Sequence, residues 1–282
     1  MDRRILTLHV PSGHAFNVMV GGLQLCISAS VFLFTPWVSD HSGHSLASVA
    51  ISGAAQGFTL LFMFYALRFL EVSRFMPVYQ TFPVVVAVMA IFLLDEGLSS
   101  IQWIAVLVTV CGAALITFDR HATLGKKVIW PAYLLVLGTV ITTAVGNVAF
   151  KFGVDGMDFW NAMALRSLFT GAVLLIPLVR AATLGEVIHT IRRPKDFALV
   201  VMNEGLLVPG ALVLMLMGLK LGPVSLVSTL MATRVLFVLL ISGVLSFDSI
   251  RILDERFSRD TLPVKLFSAI LIVIGISLLA LG

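Results

Sequence analysis

Two ionisable residues, Glu204 and Arg234, stand inside long apolar runs of this chain. A charge at the centre of a bilayer costs at least about 2.5–3.5 kcal/mol, so residues of this kind are functional candidates by default. Counted back from the connection near Leu221 at about 1.5 Å per residue, their heights in neighbouring helices differ by roughly 6 Å, a gap that long side chains bridge. As a functional pair, Arg234 would hold an anionic group of a solute, and Glu204 would exchange a proton or hold a cation. The competing reading is a structural ion pair that only neutralises two buried charges.

Other polar groups could share that chemistry. Pro209 and Gly210 follow Glu204 by little more than a turn, and a proline inside a helix removes a backbone bond and bends the rod. Tyr79, Gln80 and Thr81 lie between Pro77 and Pro83 in the same manner, either lining a cavity or bonding between helices. Gln56 sits within the GxxxG spacing of Gly53 and Gly57, which predicts close helix packing, with Gln56 a candidate for a cavity face. Asn147 precedes Lys151 by one turn on the same face; Lys151 ends its helix and reads as snorkelling towards headgroups. Arg166, two turns into its helix, is expected to anchor the helix end or to pair with Asp155 or Asp158. Glu96 and Glu255 fall at helix ends and read as caps or gate contacts.

What is missing narrows the chemistry. The six histidines lie mainly in tails and loops without metal-ligand spacing, and Cys26 and Cys111 are far apart in separate apolar segments. No phosphate-binding glycine loop appears, and no nucleophile, base and orienting group converge. Neither a metal nor a cofactor is expected, and the chain does not read as an enzyme.

The elements that must position these residues are transmembrane helices. Hydrophobic residues make up 59% of the chain and charged residues 12%, and mean hydropathy is +1.05, which excludes an ordinary soluble domain. Long unbroken apolar runs exclude a β-barrel, whose strands alternate. The expected spans are nine, at about 15–37, 46–67, 75–94, 100–118, 130–152, 159–179, 197–219, 223–246 and 263–281. The net charge of +4 comes with no basic face with interleaved aromatics, so nucleic acid is not an expected partner. Instead, fifteen Lys and Arg residues fall in the amino-terminal tail and alternate loops, and two, Lys151 and Lys220, on the opposite side. That bias predicts a cytoplasmic amino terminus, an outside carboxyl terminus and a place in the cell membrane.

The chain also resembles itself. Leu70-Glu71-Val72-Ser73 and Leu221-Gly222-Pro223-Val224-Ser225 open matching apolar runs that end in Asp95-Glu96 and Asp254-Glu255. A segment containing Gly112 follows the first, and one containing Gly275 the second. Phe16 to Val20 lies over Trp160 to Ala164. Four helices correspond to four, the helix at Trp130 has no counterpart, and the charge bias makes the copies inverted, which places a solute site near the midplane between them. The copies differ where chemistry is expected, with Ser52 in the place of Glu204 and Phe82 in the place of Arg234.

These elements resemble the drug/metabolite transporter superfamily, specifically EamA-type permeases. The likeness rests on Tyr65 to Arg68, Val72-Ser73 with Pro83, Glu96 before Gln102-Trp103, Gly112, Lys151, Arg166, Gly222 to Ser225, Glu255 and Gly275. It implies an all-α multi-pass carrier of two five-helix repeats that exports small metabolites or drugs by alternating access. This chain departs from the pattern by lacking the first helix, so residues 1–119 are expected to form an incomplete first repeat, 120–129 a linker and 130–282 a complete second repeat. The expected partners are lipid, a small-molecule solute and a coupling proton or ion, with homodimerisation left open. A membrane-embedded enzyme and a non-transporting subunit or receptor are the alternatives.

Overall fold

A computed structural model describes residues 12–37, 42–70, 72–117, 130–176, 181–234, 237 and 262–281. Helices are the only regular elements among them: α1 Gly13–Phe34, α2 Gly43–Phe69, α3 Val72–Tyr79, α4 Phe82–Leu94, α5 Ser100–Thr117, α6 Trp130–Val154, α7 Phe159–Leu174, α8 Ala181–Ile191 and α9 Pro194–Val200. A π-helical segment, Val201–Leu207, leads into α10 Val208–Leu221, followed by α11 Val224–Ala232 and α12 Leu262–Leu281. Each of the nine expected spans contains a helix. Four apolar stretches are long enough to cross a bilayer unaided: Gly13–Phe34, Gly43–Leu67, Pro131–Val154 and Phe197–Leu221. The protein is an all-helical, multi-pass membrane protein, and exposed Leu33, Phe92, Leu134 and Leu214 give its perimeter an apolar surface suited to lipid.

Local chemistry sets the helix starts. Ser12 and Ser42 cap α1 and α2 by accepting from Ala15 N at 3.2 Å and Ser45 N at 3.2 Å. Asp158 does the same for α7, accepting from the amides of Trp160 and Asn161 at 2.9 and 3.2 Å. At the start of α5, Ser99 and Gln102 form a reciprocal capping box: Ser99 Oγ accepts from Gln102 N at 3.2 Å, and Gln102 Oε1 accepts from Ser99 N at 2.9 Å.

Three expectations about elements need correction. The span at 75–94 is two helices, because Pro83 cannot donate and the chain turns at Thr81, whose hydroxyl bonds Val78 O at 2.7 Å. The connection after the sixth span contains α8, an amphipathic helix whose Val187 packs into the cluster of Ala15, Phe16 and Met19 on α1. The bend anticipated at Pro209 is preceded by the π-helical segment, one extra residue per turn before a proline in the first turn of α10. The 120–129 linker, Glu255 and most of the 223–246 span beyond Arg234 lie outside the described residues.

The segments that the sequence matches to one another also pack together: α5 along α12, and α1 along α7. Small residues bring them close: a Cβ on Gly112 would stand 2.8 Å from Ile272 Cγ1, and one on Gly275 would stand 2.9 Å from Thr109 N. The matched glycines of the two copies therefore occupy one seam. α2 packs on both α6 and α7, where Gly53 and Gly57 face Phe169 and Val173, as the GxxxG spacing predicts. The Phe197–Leu221 span touches α6 and α1 but is the least enclosed of the four; 22% of its apolar window is buried, against 50% for Pro131–Val154.

Candidate functional site

The polar interior of the bundle follows the α2–α6 seam. Ser52, Gln56 and Thr59 recur at helical spacing on α2, opposite Thr142, Thr143, Gly146 and Asn147 on α6. Ser52 Oγ donates to Gly146 O at 2.6 Å, and Thr59 Oγ1 donates to Thr142 Oγ1 at 2.8 Å. These bonds join the helices through a region where water could not satisfy the groups.

Arg166 enters this seam from α7. It is buried, its Nη2 donates to Gln56 Oε1 at 2.9 Å, and its guanidinium carbon stands 5.4 Å from the centroid of the Phe150 ring on α6. Its Nε and Nη1 have no hydrogen-bond partner among the described residues. The expected pairing with Asp155 or Asp158 does not occur: Asp155 lies 3.6 Å from Lys151 Nζ, and Asp158 caps α7. Asn147, also fully buried, leaves both side-chain polar atoms without a partner among the described residues.

A second cluster surrounds the break between α3 and α4. Tyr79 stacks between Phe75 and Phe82, with ring centroids 5.6 and 5.4 Å away. The Arg234 guanidinium lies 5.4 Å from the Tyr79 ring centroid, a cation–π contact worth about 0.5–2 kcal/mol depending on desolvation. Gln80 is fully buried and neither of its amide atoms has a partner among the described residues, whereas the Thr81 hydroxyl is spent on Val78 O.

Glu204 occupies the π-helical segment, is buried, and accepts from Asn203 Nδ2 at 2.8 Å. Arg234 is exposed and its described contact is Tyr79, so the structure does not join Glu204 to Arg234 as the span register suggested. The register assumed straight helices, and both the π segment and the short α11 depart from that. The expected site residues thus fall into three groups: Arg166, Gln56 and Asn147 on the α2–α6–α7 junction; Tyr79, Gln80, Thr81 and Arg234 at the α3–α4 break; and Glu204 with Pro209 in the 197–221 span. Lys151 donates to Lys220 O at 3.1 Å, holding the end of α6 to the end of α10.

Glu96 makes a contact whose partner the sequence did not reveal. Its carboxylate accepts from Val224 N at 2.8 Å, from Ser225 N at 3.2 Å and from the Ser225 hydroxyl at 2.9 Å. Pro223 supplies no side-chain cap for α11, so Glu96, just beyond the end of α4, satisfies the start of α11 and complements its dipole.

Residues 9–118 match the EamA-like transporter family. The first part of this chain is similar to that family. That family belongs to the drug/metabolite transporter superfamily, and its members are transporters. A solved crystal structure of another protein superposes with a TM-score of 0.69 at 17% identity, covering 99% of this chain and 90% of that one. At that identity the likeness establishes the fold alone, over nearly the whole chain. No curated protein matches the sequence. Lipid and small solutes are the partners that such a membrane-embedded, transporter-like protein meets.

Proposed function

We propose that this protein is a secondary-active transporter of the cell membrane that exports a small metabolite or drug by rocking one EamA-like repeat against the other, with Glu204 as a proton-coupling group. The observation that carries the reading is a buried carboxylate in a π-helical turn of the least buried long span. π-Helical turns concentrate at functional sites, and an intramembrane carboxylate that binds and releases a proton is a recurrent coupling device. The Asn203 amide donates to the Glu204 carboxylate and orients it. The repeats are residues 1–119 and 130–282, and the Lys and Arg bias supports a cytoplasmic amino terminus.

The test is flux. Purified protein in sealed vesicles is loaded with a panel of labelled amino acids, sugars, polyamines and organic acids, and a pH gradient is imposed. At least one solute is expected to leave faster than from empty vesicles, with a rate that follows the gradient. Glu204→Gln is expected to retain exchange of that solute and lose the gradient-driven part. If Glu204→Gln keeps both flux and its pH dependence, the coupling role is wrong; if no solute moves, the transport reading is wrong.

A further inference from the structure

We infer that Arg166 is an anion-binding group and that the solute recognised by this protein bears a carboxylate or phosphoryl group. The inference rests on the transport reading for its purpose and on the α2–α6–α7 junction for its chemistry. A guanidinium carries five N–H donors in a planar fork. Here one donor meets a neutral amide oxygen, Gln56 Oε1, while Nε and Nη1 meet none among the described residues. The group is buried, so water does not replace what is missing.

A purely structural arginine in this position would be quenched by a carboxylate, since a neutral acceptor leaves the charge uncompensated. Among the described residues no carboxylate pairs with Arg166: Asp155 approaches Lys151, Asp158 and Glu96 hold helix starts, Glu186 pairs with Ser12, and Glu204 accepts from Asn203. Both planar forks of a guanidinium include Nη2, one with Nε and one with Nη1; Gln56 takes one of the two Nη2 protons, so the other Nη2 N–H and the unpartnered nitrogen beside it form a vacant fork of the geometry that binds carboxylate or phosphate in bidentate fashion. Asn147 lies one helical turn from Phe150, on the side of α6 that meets α2, and both its donor and its acceptor are unspent, which suits a second polar group on the same solute. Arg166 is seven residues into α7 from Phe159, roughly 10 Å from that end of the helix, and hence well inside a hydrocarbon core about 30 Å thick.

The fork is also covered in a way that can be undone. Phe150 closes one face of the guanidinium and belongs to the apolar cluster that contains Leu216 and Leu219 of α10. Displacing the sparsely packed 197–221 span uncovers Phe150 and opens the junction without separating α2 from α7. Binding energy for the anion then comes from satisfying donors that are otherwise left unmet.

Gln56→Glu is the decisive variant. It is nearly isosteric and places a carboxylate where Gln56 Oε1 now stands, so the protein supplies its own anion. The purified full chain is measured in detergent by thermal unfolding and in sealed vesicles by flux, using matched pairs: gluconate with sorbitol, glucose 6-phosphate with glucose, and glutamate with the cation putrescine. Wild type is expected to be stabilised by, and to move, one or more anionic members in preference to their counterparts. Which pair responds separates a carboxylate from a phosphoryl requirement. Gln56→Glu is expected to unfold at a higher temperature, and to weaken anion binding and flux at least about tenfold. Arg166→Lys, which keeps the charge without the fork, is expected to lose about as much.

Stabilisation and flux confined to neutral or cationic solutes would overturn the anion assignment while leaving the transport reading intact. Anion stabilisation of wild type that is lost in Gln56→Glu, in the absence of any flux, would uphold the site and overturn transport. A Gln56→Glu protein that is more stable but binds and moves anions as wild type does would make Arg166 a structural residue, and so would the absence of any anion-dependent stabilisation across the panel.

Discussion

Replacing Glu96 by alanine removes three hydrogen bonds to one helix start, those from Val224 N, Ser225 N and Ser225 Oγ. Hydrogen bonds to a charged group contribute roughly 1.5–3 kcal/mol each when nothing replaces them. This site is part-buried, however, and water recovers some of that. Loss of a helix cap costs about 0.5–2 kcal/mol, and the upper end applies here because Pro223 offers no substitute. A loss of about 2 kcal/mol is close to a 30-fold change in an equilibrium at 1.4 kcal/mol per decade. Hydrogen exchange reads that factor directly: in Glu96→Ala, a peptide containing Val224 and Ser225 is expected to exchange about 30-fold faster. Glu96→Gln keeps one acceptor oxygen and is expected to fall between. The amides of Trp160 and Asn161, capped by Asp158, are the internal control and should not change. Exchange at Val224 and Ser225 within about threefold of wild type would refute the claim that Glu96 holds the start of α11.

Gly53→Ala sets a Cβ against the Arg166 carbonyl oxygen and 2.8 Å from Phe169 Cβ, and is expected to lose about 1–3 kcal/mol in thermal unfolding. Gly22→Ala, whose Cβ would meet nothing within 4 Å, should be neutral or stabilising by up to about 1 kcal/mol in the same assay. Gly275→Leu is expected to prise α12 from α5, where even a Cβ would stand 2.9 Å from Thr109 N; a cysteine cross-link engineered across that seam would then form more slowly. Lys151→Met removes a bond to Lys220 O and a 3.6 Å approach to Asp155, and should shift stability by no more than about 1 kcal/mol, because surface ion pairs contribute little.

The spans were legible because bilayer thickness imposes a length and an apolar composition on each segment, and Gly53, Gly57, Gly112 and Gly275 were legible because close helix contact demands small residues. The register between Glu204 and Arg234 was not, since it depended on straight rods: the π-helical turns at Val201–Leu207 rotate Glu204, and nothing in the local spacing of Met202 to Leu207 signals an extra residue per turn. Arg166 and Gln56 are 110 positions apart and Glu96 and Val224 are 128 apart, and a single sequence has no means of pairing them. α8 could have been found: Leu184, Ile188 and Ile191 are exposed and fall at helical spacing, but the neighbouring Arg192, Arg193 and Lys195 drew the segment into a loop.

The glycine seams also divide the molecule mechanically. Where Gly53 and Gly57 let α2 lie backbone to backbone on α7, and where Ser52 and Thr59 bond α2 to α6, sliding would force atoms through one another or break bonds that no water can replace. α2, α6 and α7 therefore form a stator, with Arg166 fixed to it. The 197–221 span is tied to that block at Lys220 by Lys151 and elsewhere by apolar contact, which shears at little cost. In the rocking motion proposed above it is the arm that would move, carrying Glu204.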